Sequence, residues 1–143
     1  MDLSFTDEQE AIRDAIAKLC QKYDDDYWLK RDSEGGFPND FVKDLADGGW
    51  LGIAMPEAYG GAGLGVTEAA VMMHTVAGTP GAMSAASAIH INIFGPHPIA
   101  VHGTDEQKTR WLPPLIAGDD IACFGVTEPD AGLEPAFQQP HPD

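Results

Sequence analysis

The sequence predicts an all-α protein, a helical bundle of about five helices with one terminal strand. Three observations support this prediction. Apolar residues recur at intervals of three and four in several segments, which is the period of an amphipathic α-helix. Two segments begin with a threonine that is followed three residues later by glutamine, the pattern of an N-terminal capping box. Only one run, Ile121 to Val126, is rich in strand-forming residues and bounded by turn residues.

The first helix is predicted to begin near Asp7. Thr6 and Gln9 form the first capping box, and acidic residues in the first turn complement the positive end of the helix. One apolar stripe about four turns long follows, which predicts a helix that packs on one side only. The residues of this stripe are Ile12, Ile16, Leu19, Tyr23 and Tyr27.

A second, short helix is expected after the break at Gly35-Gly36. It starts near Pro38, which suits a first helical turn, and ends at Gly48-Gly49. Residues 50–65 contain a proline and five glycines, so they cannot form a regular helix or a central strand. Because this segment also carries apolar side chains that need burial, it is predicted to be a structured loop.

The composition changes between Val66 and Thr104, where there is no lysine or arginine and only one acidic residue. Two helices are predicted here, one capped by Thr67 and the other running from about Gly81 to Phe94. A helix that is apolar on all sides is either central or covered by another domain or subunit. Two such helices in a chain this short suggest that further domains or subunits cover them, and a homo-oligomer is expected.

One more turn of helix is predicted before Gly103, and the second capping box then begins at Thr104 and opens a helix that ends at Gly118. The strand Ile121 to Val126 comes after this helix. A lone strand needs a sheet that this sequence does not otherwise supply.

The charge balance narrows the range of partners. Eight basic residues against 23 acidic residues give a net charge of −15, which disfavours binding to nucleic acid or to an anionic membrane surface. The two cysteines, Cys20 and Cys123, form no disulfide or zinc pattern, and no signal peptide is visible. These features predict a cytoplasmic protein with small-molecule or protein partners.

Residue types alone indicate no catalytic group and no metal site. The glycine-rich segment 60–65 does not fit a nucleotide-binding motif, and the histidines lack the spacing of a helical metal pair. No activated serine or cysteine nucleophile can be identified. Glu57 and Glu128 lie in proline-containing loops, where a carboxylate more often accepts backbone hydrogen bonds than acts as a base.

Three motifs, taken together and in order, are similar to those of a known family. They are Met55-Pro56-Glu57-Ala58-Tyr59-Gly60-Gly61, the segment from Gly103 to Pro113, and Phe124-Gly125-Val126-Thr127-Glu128-Pro129-Asp130-Ala131-Gly132. Over about residues 2 to 134 the chain resembles the amino-terminal third of the acyl-CoA dehydrogenase family. The resemblance implies a helical domain at 1–119, the start of a β-domain at 120–133, and a proline-rich tail outside the family pattern at 134–143.

The resemblance also implies a cofactor and a substrate. Members of the family are FAD-dependent enzymes that usually assemble as homotetramers. The positions that correspond to flavin contacts are Phe124, Val126, Thr127, Gly132 and Leu133. Leu133 replaces the more frequent serine, so only its backbone role would remain. The positions expected to face the acyl chain are Ser87, His90, Ile91 and Phe94.

The family's catalytic glutamate lies in a part that this sequence does not match, so no residue here is assigned as the base. The resemblance implies the amino-terminal part of an acyl-CoA dehydrogenase, with acyl-CoA thioesters as substrates and an electron-accepting flavoprotein as partner. This chain alone is expected to be inactive. Two alternatives stay open: a non-catalytic helical interaction module derived from the same fold, and a related flavoprotein oxidase or monooxygenase.

Overall fold

A computed structural model of the chain describes residues 4–125. The all-α prediction is confirmed, although this part of the chain contains seven α-helices and two 3₁₀ turns rather than about five helices. The 3₁₀ turns are Trp50–Gly52 and Glu57–Tyr59. The helices are α1 (Asp7–Cys20), α2 (Asp25–Glu34), α3 (Asn39–Asp47), α4 (Val66–Ala77), α5 (Ala82–Phe94), α6 (His97–His102) and α7 (Asp105–Ala117).

Both predicted capping boxes are present. The Thr6 hydroxyl accepts a hydrogen bond from the backbone amide of Gln9, whose side chain accepts one from the amide of Thr6. Thr104 and Gln107 form the same reciprocal pair at the start of α7. Each box satisfies two amides that the first turn of a helix leaves without partners.

The first apolar stripe does not form one continuous helix. α1 ends at Cys20, and α2 starts at Asp25 after Asp24, whose carboxylate accepts a hydrogen bond from the amide of Tyr27. Tyr23 lies in the turn between the two helices and is buried in the same core as α1. The apolar residues keep their helical spacing across the turn between α1 and α2. Periodicity alone therefore predicts a single helix where the structure has two.

Most of the helices pack around one core. α1 lies against α4, and α4 lies against α5. Phe41 on α3 meets two aromatic rings edge to face, with its ring centroid 5.2 Å from that of Tyr23 and 5.3 Å from that of Trp28. The largest aliphatic side chains in the core are Ile12, Ile16, Leu45, Leu51, Ile53, Met72, Ile89 and Ile93.

The segment 50–65 is a structured loop, as predicted. Backbone hydrogen bonds fold it back on itself: the amides of Gly63 and Leu64 donate to the carbonyls of Met55 and Ile53. Met55 packs with two residues of α7, Leu112 and Ile116, in a second small core. The loop thereby joins α7 to the rest of the domain.

The cap predicted for α4 is wrong by two residues. The helix begins at Val66, with Gly65 as its N-cap, and the amide of Gly65 donates a hydrogen bond to the carboxylate of Glu68. Gly65 has no side chain, so only one half of a capping box is formed here, the half in which the third residue of the helix accepts from the N-cap amide. The helix predicted from about Gly81 to Phe94 is confirmed as α5, with Gly81 as its N-cap.

The terminal strand is not formed within the described residues. Residues 121–125 form no β-ladder with any other part of residues 4–125, because no second strand is available there to pair with them. Val126, the last residue of the predicted strand, lies outside the described residues. None of the helices in residues 4–125 has both the length and the apolar composition needed to cross a membrane.

Asp44 should make the stability of the fold depend on pH. Its carboxylate lies 2.9 Å from the Lys22 ammonium and accepts a hydrogen bond of 2.8 Å from the Tyr23 hydroxyl. These contacts lower the pKa of Asp44, with the Lys22 hydrogen bond the larger cause. We expect Asp44→Asn to reduce the free energy of unfolding at neutral pH by about 1 kcal/mol.

The lowered pKa of Asp44 determines how the free energy of unfolding should change with pH. A lowered pKa contributes stability that is complete above the unfolded pKa of about 4 and is lost as pH falls through the folded pKa. The difference in free energy of unfolding between the wild type and Asp44→Asn should therefore become smaller at acidic pH. Urea unfolding at several pH values measures this difference. Asp47→Asn, which breaks a more exposed pair with Lys43, is the control and should have little effect. If the difference in free energy of unfolding between the wild type and Asp44→Asn did not change with pH, the proposed contribution of the Asp44 carboxylate would be contradicted.

Candidate functional site

Helix α5 has two different faces. Ala85, Ile89 and Ile93 are buried in the core, and the helix carries no fully charged residue. The four positions expected to face an acyl chain avoid this core stripe: Ser87 and His90 are exposed, while Ile91 and Phe94 are half-buried. The rings of His90 and Phe94 lie 6.1 Å apart between centroids. Phe94 also packs against the edge of the main core, so it belongs only partly to the outer face.

Two adjoining grooves run beside the amino-terminal half of α5. Ser87 lines a groove of about 450 Å³ together with Ser84 and residues 36–38. A larger groove, of about 750 Å³, lies between α2 and the start of α5 and shares Ser84 with the first groove. Leu29 and Met83 line this larger groove and are 65% and 71% exposed. The outer side of this half of α5 is therefore open, and the larger groove combines these apolar side chains with the charged Asp25, Arg31 and Asp32.

The segment that follows α7 returns to α5. The side chain of Asn92, buried on α5, donates hydrogen bonds to the carbonyls of Leu115 and Asp120 at 3.3 and 2.8 Å. Its oxygen accepts a hydrogen bond of 2.8 Å from the amide of Ala122. A cleft of about 450 Å³, lined in part by Trp111, lies beside this segment.

The comparison with known families decides what this helical domain is. Residues 6–119 match the sequence profile of the acyl-CoA dehydrogenase N-terminal domain. The chain belongs to the acyl-CoA dehydrogenase family. The resemblance drawn from the three motifs is thus confirmed, and so is the all-α architecture that it implied.

Relatives within the acyl-CoA dehydrogenase family are substantially longer. Acyl-CoA dehydrogenase FadE12 of Mycobacterium tuberculosis is 35% identical over 137 residues, which cover 92% of this chain and 34% of that protein. Butyryl-CoA dehydrogenase from Megasphaera elsdenii superimposes with a TM-score of 0.82 at 28% identity, over 97% of this chain and 37% of that one. The chain spans about a third of the length of the curated relatives that it matches.

A further solved structure points to the same fold. A chain from the structure described as the electron transferring flavoprotein of Acidaminococcus fermentans superimposes with a TM-score of 0.83 at 30% identity. The match covers 97% of this chain and 36% of that one. The helical arrangement of residues 4–125 is therefore shared with several solved structures.

The residues expected at an acyl-CoA dehydrogenase flavin site lie mostly outside the described part of the chain. Phe124 is described, and its side chain is 59% exposed. Val126, Thr127, Gly132 and Leu133 lie outside the described residues. The flavin-contacting role of all five positions stays a prediction, as does the acyl-facing role of the four positions on α5.

Sequence reasoning did not identify Asn92. The one available signal is its register, because it lies three residues after Ile89 on the stripe that faces the core. An amide at a core position must find polar partners. Its partners are 23 to 30 residues further along the chain, so they could not be identified from local sequence.

Three carboxylates among the described residues have lowered pKa values, so none of these three is poised to act as a base near neutral pH. A hydrogen bond from Gln9 lowers the pKa of Glu68, and a backbone hydrogen bond lowers that of Glu106. The pKa of Asp44 is also lowered. A base that works near neutral pH needs a shift in the opposite direction. Within residues 4–125, no three histidine, cysteine or acidic side chains lie close enough together to hold a metal ion.

Proposed function

We propose that this chain supplies the amino-terminal helical domain and the first flavin-contacting segment of an FAD-dependent acyl-CoA dehydrogenase. The match of residues 6–119 to the family's N-terminal domain carries the proposal. In this arrangement residues 1–119 form the helical domain, 120–133 open a β-domain, and 134–143 stand outside the family pattern. The reaction is the α,β-dehydrogenation of an acyl-CoA thioester.

Exposed apolar side chains lie at the start of the proposed flavin-contacting segment and beside it. Phe124 and Ile121 are 59% and 62% exposed, and Trp111 is 41% exposed beside the neighbouring cleft. Exposed aromatic and aliphatic side chains of this kind favour contact with a flat ring system rather than with water. When bound, FAD would supply the acceptor for the hydride that leaves the β-carbon. Phe124, Val126, Thr127, Gly132 and Leu133 would hold it, the Thr127 hydroxyl by hydrogen bonding.

The outer face of α5 is proposed to lie along the acyl chain. Ser87, His90, Ile91 and Phe94 occupy this face, and the absence of full charges on α5 suits an apolar ligand. The open groove at Ser87 supports this placement. We assign no α-proton base to this chain. We further propose an electron-accepting flavoprotein as partner and a homo-oligomeric assembly.

A chimera tests the proposal. Residues 1–133 of this chain would replace the matching residues of butyryl-CoA dehydrogenase from Megasphaera elsdenii, whose fold matches at a TM-score of 0.82. We expect a yellow protein whose flavin absorbance is bleached by butyryl-CoA. The 143-residue chain alone should retain no FAD in gel filtration, since tight binding needs groups from several elements.

Thr127→Ala in the chimera provides the matched variant. Loss of one hydrogen bond to the flavin should weaken FAD binding by about tenfold. Thr109→Ala, at an exposed position of α7, serves as the control and should leave FAD affinity unchanged. A chimera that folds but holds no flavin, while the parent enzyme prepared in parallel does, would contradict the proposal.

A further inference from the structure

Asn92 is the single buried polar side chain in the core of the described residues. It lies on α5, whose other buried residues are alanine and isoleucine. Burial of an unpaired amide is unfavourable, so the side chain must be held by its partners. It makes three hydrogen bonds, and all three go to backbone groups at the end of α7 or just after it.

The hydrogen bonds of Asn92 hold the chain where it leaves the helical domain. The amides of Asp119 and Asp120 donate to the carbonyl of Pro114, which completes the turn that ends α7. Beyond this turn, Asn92 accepts from the amide of Ala122. Among the hydrogen bonds that join described residues, this one is the furthest along the chain.

The side chains of the same segment give it little anchorage. Ile121, Cys123 and Phe124 are exposed, and residues 121–125 form no β-ladder with other described residues. Apolar burial and strand pairing, the usual ways of holding a segment, are thus weak in this part of the structure. Within residues 4–125, the direction in which the chain leaves the domain depends on a side chain of α5.

We propose that Asn92 is a positioning residue, which fixes the segment 120–122 to the inner side of α5. The outer side of the same helix carries Ser87, His90 and Ile91. Because an α-helix is stiff over one or two turns, anchoring to its inner side also sets the distance to its outer side. This inference rests on the proposed function: Asn92 fixes residues 120–122, the start of the proposed flavin-contacting segment, relative to the acyl-facing residues of α5.

The chain contains a suitable reporter for this role. Cys123 is exposed and follows Ala122 directly, whereas Cys20 is buried and its burial raises the pKa of its thiol. A maleimide spin label should therefore react with Cys123 in the native protein and leave Cys20 unmodified. The mobility of the label, measured by electron paramagnetic resonance, reports how firmly the segment is held.

The variant is Asn92→Leu, which keeps the branched shape and removes every polar group. We expect the label to become more mobile and the Ala122 amide to exchange its hydrogen at least about tenfold faster. Ile93→Ala is the matched control, because it removes buried volume from the adjacent residue without touching the three hydrogen bonds. Each protein is measured well below its own unfolding midpoint. The control should lose global stability while its label stays as immobile as in the wild type.

Two results would overturn the inference: a label no more mobile in Asn92→Leu than in the wild type, or one equally mobile in Ile93→Ala. A measurement on the unsubstituted chain covers the case in which Asn92→Leu does not fold. In the wild type, the Ala122 amide should exchange more slowly than the amides of Cys123 and Phe124, and equal rates would refute the role of Asn92. These measurements involve no flavin, so a flavin-free chimera would count against the proposed function and not against this inference.

Discussion

Phe41→Ala is expected to lower the free energy of unfolding by about 3 to 5 kcal/mol, the usual cost of removing a phenyl ring from a core. Phe41 is fully buried, and its ring meets Tyr23 and Trp28 edge to face. The substitution would leave a cavity where α3 meets the turn before α2 and the start of that helix. Because domains of this size are stable by only about 5 to 15 kcal/mol, much of the stability would be lost.

Urea unfolding followed by far-UV circular dichroism measures the effect. Phe5→Ala is the matched control, since Phe5 is 42% exposed and contacts the Arg13 guanidinium at the surface. Its loss should cost no more than about 1 kcal/mol. If Phe41→Ala and Phe5→Ala had similar urea unfolding midpoints, the aromatic cluster around Phe41 would not be a principal part of the core.

Gly61→Ala is expected to destabilise the fold by about 3 kcal/mol, because the structure leaves no room for a Cβ atom at this position. An added Cβ would overlap the backbone carbonyl of Met55. That carbonyl accepts the hydrogen bond from Gly63 that closes the loop, so it cannot move away without breaking the loop. The Met55 side chain, which packs on α7, would be displaced with it.

Gly125→Ala is the control for this substitution. A Cβ at Gly125 meets no atom within 4 Å, so the change should alter stability by less than about 0.5 kcal/mol. Differential scanning calorimetry of both variants would separate the effect of the steric overlap at Gly61 from the effect of adding a methyl group to a glycine. A Gly61→Ala protein with the wild-type unfolding temperature would mean that the loop can shift at little cost.

Local signals predicted much of this fold. The capping boxes at Thr6 and Thr104 are present, because each depends on residues only three positions apart. The break after Cys20 was missed because Tyr23 keeps the apolar spacing while lying in a turn. The better signal was Asp24, whose carboxylate caps α2.

The candidate site was less accessible to sequence reasoning than the fold. The register of α5 places Ser87 and His90 away from the core, in agreement with the exposure of both side chains. The role of Asn92 depends on backbone groups of Leu115 and Ala122, far along the chain. Contacts of this kind arise from tertiary packing, so neither propensity nor periodicity encodes them.

The packing of α1 against α4 has a consequence for how the domain acquires its structure. Gln9 and Glu68, which join these helices by a hydrogen bond, are separated by 59 residues. Bringing these two helices together carries a loop-closure entropy cost, which grows slowly with the length of the intervening chain. Folding of such a topology is slower than that of a bundle whose neighbouring helices follow each other directly in sequence. On the ribosome, α1 would emerge well before α4, so the side of α1 that packs on α4 would lack that partner until residues 66–77 had been made.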